Sequence, residues 1–468
     1  MIKQTLMAAA AAAVLAVPGT ALAVTDAEMK ELREQVRQLK QEYERRIDAL
    51  EQRLKQAEAA ASKAQTSAGQ AETAAASASA RPAGENAFNP AVSLILNGVL
   101  ANLSQDPARH QITGFTPTGG EVGPGSRGLS LGETELVFSA NIDPNFRGTL
   151  IAALGADDSI GVEEAYIQGI GLSHGLGIKA GRFLSSVGYL NEIHPHAWDF
   201  VDAPLANKAF LGNQHGEDGV QLKWIAPTDT FLEFGAEVGR GRSFPGSNRD
   251  KNGAGAANLF ARLGGDIGAS AAWRLGLSHL RTKAQNRGYD DLNSLGTEVN
   301  NSYSGASRLW VLDGVLKWAP GGNSTNTNLK LQGEYFRRNE DGELSYDTAA
   351  ASPAGTQTGT LRSAQSGWYA QGLYQFMPMW RIGYRYDRLN PGSVKLGLVD
   401  GGALGAADFP IYSRYKPTRN TLMFDFNPSE FSRLRLQFAN DKSRLGATDR
   451  QVFLQYIMSL GAHGAHKF

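Results

Sequence analysis

Over most of its length the chain alternates apolar and polar residues with a period of two. Val220, Leu222 and Trp224 alternate with Gln221 and Lys223, and Leu232, Phe234, Ala236 and Val238 with Glu233 and Glu237. Trp273, Leu275 and Leu277 alternate with Arg274 and Ser278; Trp380, Ile382, Tyr384 and Tyr386 with Arg381, Arg385 and Asp387; Leu434, Leu436 and Phe438 with Arg433, Arg435 and Gln437. Successive side chains on a strand point to opposite faces, so each segment is a strand with one apolar and one polar face. The connections sort by length. Short ones include Asp143-Pro144-Asn145, Ser173-His174-Gly175, Pro227-Thr228-Asp229, Met377-Pro378-Met379 and Asn427-Pro428-Ser429. Long ones fall near 104–127, 184–217, 240–255, 283–306, 338–364 and 391–414, with briefer ones near 155–160 and 440–449. A soluble sandwich has no reason to alternate tight turns with long loops, whereas a membrane barrel places each kind on its own rim. About seven turns and about eight loops predict an all-β transmembrane barrel of about sixteen antiparallel strands, the size that leaves an aqueous lumen.

Composition agrees. The chain carries 54 glycines, and only 42% of its residues are hydrophobic, as expected when alternate residues alone face lipid. Forty-six basic residues balance 46 acidic ones, so no net charge points to a nucleic-acid partner. Cysteine is absent, which excludes disulfide and thiol chemistry. Residues 1–23 read as a signal peptide: Lys3 supplies the positive end, Leu6 to Val17 a short apolar run, and Ala21-Leu22-Ala23 a cleavage site. No later stretch is apolar enough for a spanning helix, so strands must cross the membrane. Export and barrel together predict a Gram-negative-type cell outer membrane, with lipid as the first partner.

The barrel is expected over 89–468. Before it, 24–58 reads as an α-helical coiled coil whose seam is Met29, Leu32, Val36, Leu39, Tyr43, Ile47, Leu50, Leu54 and Ala57. A seam this narrow on a lone helix has nothing to bury, so it predicts self-association, and a homotrimer through barrel and coiled coil is the expectation. Residues 59–88 are an Ala/Ser-rich linker, which leaves the coiled coil in the periplasm. Trp224, Trp310, Trp318, Trp368, Tyr369, Phe376 and Trp380 are expected in interfacial girdles on the lipid face.

The segment 184–217 carries the candidate site. It is too apolar to lie extended in water, so it is expected to fold inward and narrow the pore; by its place after the fifth strand it resembles the constriction loop of general porins. Its constriction residues are Glu192, His194, His196, Trp198, Asp199, Phe200 and His215. Imidazoles beside carboxylates can ligate zinc, as ligand or as cargo, and no resident cofactor is expected. The metal candidates are His194 and His196, with His463 and His466 near the end of the chain. Alternation turns Arg274, Arg381, Arg385, Arg433, Arg435, Glu233 and Glu237 into the lumen, where opposed charges select solutes. Lys223, Lys330, Glu133, Glu135, Glu164, Glu334, Asp387 and Asp425 should point the same way. No nucleophile elbow, zincin motif or phosphate-binding loop is present, so no enzyme is expected.

Signal peptide, coiled coil, linker and barrel together resemble the coiled-coil-bearing outer-membrane porins, including siderophore porins and barrels labelled zinc-regulated outer-membrane receptors. The residues that carry the likeness are Asn89 to Leu96, Lys179-Ala180-Gly181-Arg182-Phe183, Gly188 to Leu205, and Gly461 to His466. The Ala180-Gly181-Arg182-Phe183 strand also resembles the phosphate-selective porins. The resemblance implies a channel for small solutes, metal ions or metal chelates among them. TonB-dependent receptors carry a plug domain before the barrel, and here that space holds only a helix and a linker. The alternative expectation is a barrel-anchored tether whose coiled coil engages a periplasmic or cell-wall partner.

Overall fold

The computed structural model describes nine residues between 30 and 45, and residues 90–118, 122–155, 159–170, 172–247 and 250–461. The chain divides into two units, 1–87 and 88–468. In the first, Lys30, Glu34, Arg37, Gln38, Lys40, Gln41, Glu42, Glu44 and Arg45 are helical and exposed. Glu34 pairs with Arg37 at 3.7 Å and Lys40 with Glu44 at 3.9 Å, the spacings at which helix neighbours meet. The seam, the leader 1–23, the linker 59–88 and the histidines His463 and His466 lie outside the described residues.

In the second unit the described residues form sixteen strands. They are β1 (Ala91–Leu103), β2 (Gly128–Leu131 and Thr134–Asn141), β3 (Phe146–Leu154), β4 (Ile160–Gly169), β5 (Leu176–Leu184), β6 (Gly216–Ile225), β7 (Phe231–Gly239) and β8 (Ala256–Ile267). There follow β9 (Ala271–Leu292), β10 (Glu298–Trp318), β11 (Asn328–Tyr346), β12 (Gln357–Met377), β13 (Trp380–Leu396), β14 (Thr418–Ser429), β15 (Ser432–Lys442) and β16 (Asp449–Gly461). The two segments of β2 are one interrupted strand, because both pair with β1, at Gly98↔Leu131 and Ile95↔Glu135. Consecutive strands pair antiparallel, and β1 pairs with β16 from Ser93↔Gly461 to Leu103↔Gln451. The sheet thereby closes on itself, and closure removes the unpaired edges that an open sheet exposes.

The outer face is apolar. Leu222, Phe234, Leu275, Leu277, Trp310, Leu312, Phe438 and Leu454 are all exposed, far more contiguous apolar surface than a soluble monomer shows. Trp310 and Trp318 are both exposed on β10. Their eight-residue separation is about 27 Å along a strand and about 21 Å at a tilt of about 40°, close to the lipid-facing band of such barrels. Tyr369 departs from the expected girdle: it is buried and turned inward. Trp368 holds the outward position, and a period of two forbids both from facing lipid.

Three loops are also shorter or displaced. Strands β9 to β12 have 22, 21, 19 and 21 residues, where crossing lipid needs about 9–11. The loops expected at 283–306 and 338–364 shrink to 293–297 and 347–356, and the one expected at 391–414 lies at 397–417. Beyond the lipid, water replaces hydrocarbon outside, so outward residues such as Arg281 and Lys283 are polar and the hydropathy signal fades while the strand continues. Inside these extensions Tyr289, Val299, Tyr303, Leu344, Tyr346 and Leu361 pack against Leu398, Phe409 and Ile411 of the loop 397–417.

Candidate functional site

The loop 185–215 joins β5 to β6 and crosses the lumen to the diametrically opposite wall. Its base is closed by Asn191, whose Nδ2 donates to the carbonyls of Ser185 (2.8 Å) and His215 (2.9 Å) while its Oδ1 accepts from the His215 amide (2.7 Å). Further along, the loop forms the helix α1 (Leu205–Leu211), all of it buried. Gly212 ends α1 in the left-handed conformation (φ 65°), where a side chain would be strained. Phe210 of α1 stacks on Phe336 of β11 at 5.7 Å and meets Phe115 of the loop 104–127 edge-on at 5.5 Å. Ile112, Phe115, Val122, Leu205, Phe210 and Leu211 form one core with Leu309, Phe336, Tyr369 and Leu389 of the wall. Burying such side chains stabilises by about 1.5–3 kcal/mol each, so apolar packing pulls the loop inward.

Wall polar groups then fix it in place. The Glu334 carboxylate on β11 accepts from the amides of Tyr189 (3.0 Å) and Leu190 (2.7 Å). This approach requires Gly188, with φ +72°, because a Cβ there would lie 2.7 Å from Glu334 Oε2. Glu192 is held by Arg262 of β8 (2.7 Å) and Lys223 of β6 (3.1 Å). The Trp198 carbonyl accepts from Arg433 (3.1 Å) and Arg435 (3.0 Å) of β15. Asp199 pairs with Lys330 (2.7 Å) and Arg381 (3.6 Å), and Asp202 with Lys208 (2.8 Å), Arg385 (3.3 Å) and Arg419. Asp387 Oδ1 caps the chain at Leu205, accepting its amide at 2.9 Å.

These contacts set the protonation of the loop. Burial opposes the charge on Asp202, but Arg419, Lys208 and Arg385 overcome it and hold the carboxyl well below the usual carboxylate range. Asp199 is lowered in the same way: burial resists, and Lys330 and Arg381 prevail. Lys208 is lowered because burial outweighs its partner Asp202. His194 is buried too, yet the surrounding carboxylates, Glu135 first and then Glu163 and Glu164, raise it well above an ordinary histidine.

The sequence-predicted residues fall into two groups. Glu192, His194, His196 and Asp199 line a cavity of 1230 Å³ beneath the loop, which is also lined by Asp266, Gly268 and Trp318 at the rim of short turns. Glu135 and Glu164 form an acidic arc on that cavity, flanked by Arg147 and Lys179, and Lys317, Lys330, Arg381 and Arg433 a basic arc facing it. Trp198 and Phe200 anchor the loop instead. Trp198 packs with Leu190 and Ala203, its Nε1 donating to the Ile193 carbonyl at 2.7 Å, and Phe200 packs on Leu373 and Met423 of the wall. His215 is fully buried away from the cavity, with Nδ1 donating to the Phe244 carbonyl at 2.9 Å and Nε2 3.1 Å from Glu217. The remaining lumen charges are paired: Arg274 with Asp313 (3.4 Å), Arg385 with Asp387 (3.2 Å), Arg435 with Asp425 (2.8 Å) and Glu233 with Arg262 (3.0 Å), while Glu237 accepts from the Ser186 amide (2.8 Å).

Sequence reasoning missed Asp202, Arg262, Arg419 and Glu163. Arg262 and Arg419 sit on the polar face of alternating segments and were legible. Glu163 breaks the alternation: the β3–β4 register shifts there, Ile151 facing Glu164 and Ala152 facing Val162, so Glu163 is an extra, bulged residue. Adjacent carboxylates in a barrel strand were its signal, since one of them would otherwise face lipid.

No family model matches the chain. Among solved structures, a loop-deletion mutant of OmpT, an outer membrane protein of Vibrio cholerae, is 12% identical with a TM-score of 0.49, covering 80% of this chain and 99% of that one. Pseudomonas putida OprB is 13% identical with a TM-score of 0.45, covering 80% and 94%. An anion-selective porin from Comamonas acidovorans is 11% identical with a TM-score of 0.45, covering 80% and 99%. An uncharacterized protein of Aquifex aeolicus (strain VF5) is 31% identical over 416 residues, 83% of this chain and 81% of that protein. The chain belongs to the same family as this Aquifex aeolicus protein.

Proposed function

We propose that the protein is a porin-like outer-membrane channel for small solutes, with the loop 185–215 as its filter. The observation that carries this reading is the closed barrel of porin size whose lumen keeps a charged 1230 Å³ cavity against an inward loop. A solute in that cavity meets an acidic arc on one side and a basic arc on the other, so size and charge distribution both act on it. With His194, His196 and Glu135 on the cavity, metal ions and metal chelates belong to the solute class tested first. The reading includes a place among the coiled-coil-bearing porins, a trimer, a periplasmic coiled coil, and no enzymatic step. The test is single-channel conductance of the refolded protein in a planar bilayer. Stepwise conductance in triplets is expected, and no conductance under any salt or voltage overturns the channel.

One observation favours a second reading. The loops 104–127, 185–215 and 397–417 all pack inside the barrel, which suits a barrel that anchors a periplasmic tether rather than conducts. A silent bilayer together with retention of the full chain on cell-wall material, lost when 24–58 is deleted, selects that reading.

A further inference from the structure

We infer that Glu133, Glu135, Glu163 and His194 form a binding site for a divalent cation of the zinc type, which staples the first part of the lumen loop to β2 and β4. One ligand atom from each lies within 4.8 Å of all the others. His194 Nδ1 is 3.3 Å from Glu163 Oε2 and 3.5 Å from Glu135 Oε2. None of these three atoms makes a hydrogen bond, and the Glu135 side chain, only 1% exposed, aims its free oxygen into the shared space. The spacing is informative, because two ligands about 2.0–2.1 Å from a tetrahedral zinc lie about 3.3–3.4 Å apart. The outer groups fit as well. His194 Nε2 donates to Glu164 Oε2 at 3.0 Å, and His196 Nδ1 donates to Glu135 Oε1 at 2.7 Å. A carboxylate on the far ring nitrogen fixes the tautomer and frees the near nitrogen, the usual outer shell of a metal-bound imidazole. Glu163 reaches the site only through its bulge, a device that re-aims side chains at functional positions. Binding displaces the proton that the carboxylates otherwise hold on the ring.

The inference concerns the same loop as the channel reading but is tested without conduction. The refolded full chain, stripped with EDTA, is titrated with zinc chloride alone, and retained metal is measured after dialysis. About one zinc per chain is expected, with affinity at least tenfold weaker in Glu163→Gln and in His194→Ala, and unchanged in the His463→Ala/His466→Ala double variant. Loss of zinc only in that double variant, or equal affinity in all of them, overturns the site. Should the single variants fail to form the barrel, zinc-edge X-ray absorption of the loaded wild type decides. A nitrogen and oxygen shell with imidazole scattering at about 2.0–2.1 Å is expected, and a purely aqueous shell refutes it.

Discussion

Asp202 shows how the lumen charges are used. Its carboxylate meets Lys208 of its own loop and Arg385 and Arg419 of the wall, all three of them buried. Removing one partner of a buried ion pair leaves the others desolvated without compensation, at a cost of about 3–5 kcal/mol. Asp202→Asn is therefore expected to release the loop before the barrel unfolds. Limited proteolysis should show cleavage within 185–215 while the heat-resistant barrel band persists. The pH dependence follows from the same contacts. The folded pKa of Asp202 is depressed, so its stabilisation is complete above the ordinary carboxylate value of about 4 and is lost as pH falls through the lower folded value. The Asp202 contribution to wild-type loop protection should then be flat from pH 8 to pH 5 and fail only in strong acid. Failure already at pH 5 would place the latch on another group. Alternation in the sequence showed that Arg385 points inward; it could not show that the partner is Asp202, because that pairing depends on where a loop with no period lands.

The loop 185–215 acts as an element because apolar and polar anchors are interleaved along it. Trp198 and Phe200 are nearly fully buried, and truncating a buried Trp or Phe costs about 3–5 kcal/mol each. The Trp198→Ala/Phe200→Ala variant is expected to loosen the loop and raise single-channel conductance above wild type. Unchanged conductance would remove the loop from the solute path. Gly188→Ala probes the start of the loop: at φ +72° and 2.7 Å from Glu334 Oε2, a methyl group strains the turn by about 1–3 kcal/mol and weakens the Glu334 bond to Tyr189 and Leu190. A measured loss of loop protection without loss of the barrel is the expected result. Strands and connections were legible where lipid imposes a period of two. They were not legible above the lipid, where β9 to β12 continue with polar residues on their outer faces. The inward course of the loop was legible from its apolar content, but the matching descent of Ile112, Phe115 and Val122 was not, since these three share no period and become a core only when Phe210 arrives.

At the scale of the whole molecule, the barrel sorts charge around its circumference. The acidic arc on β2 and β4 and the basic arc on β10, β11, β13 and β15 share one cavity, so an ion in transit feels a field across its path rather than a uniform preference. Individual strands carry both signs, and net charge is zero, so composition alone gives no selectivity. The arginines on the basic side differ in how free they are. Arg435 is fully buried on Asp425, whereas Arg381 and Arg433 keep 19% and 22% of their side-chain surface and reach the cavity. Together with Lys330, which keeps 20% of its side-chain surface, these two carry the field on their side. Replacing both (Arg381→Gln/Arg433→Gln) is expected to shift the reversal potential in a potassium chloride gradient toward cation preference, more strongly at low salt because screening is weaker there. Asp199 would keep Lys330 as a partner, Asp425 would keep Arg435, and the Trp198 carbonyl would keep the Arg435 bond, so the loop should stay in place. A control that neutralises Arg362, which is exposed and paired with Asp341 at 2.8 Å, should leave the potential unchanged. If the double variant conducts with wild-type selectivity while the loop remains protected, the solute path avoids the basic arc and runs along β2 and β4.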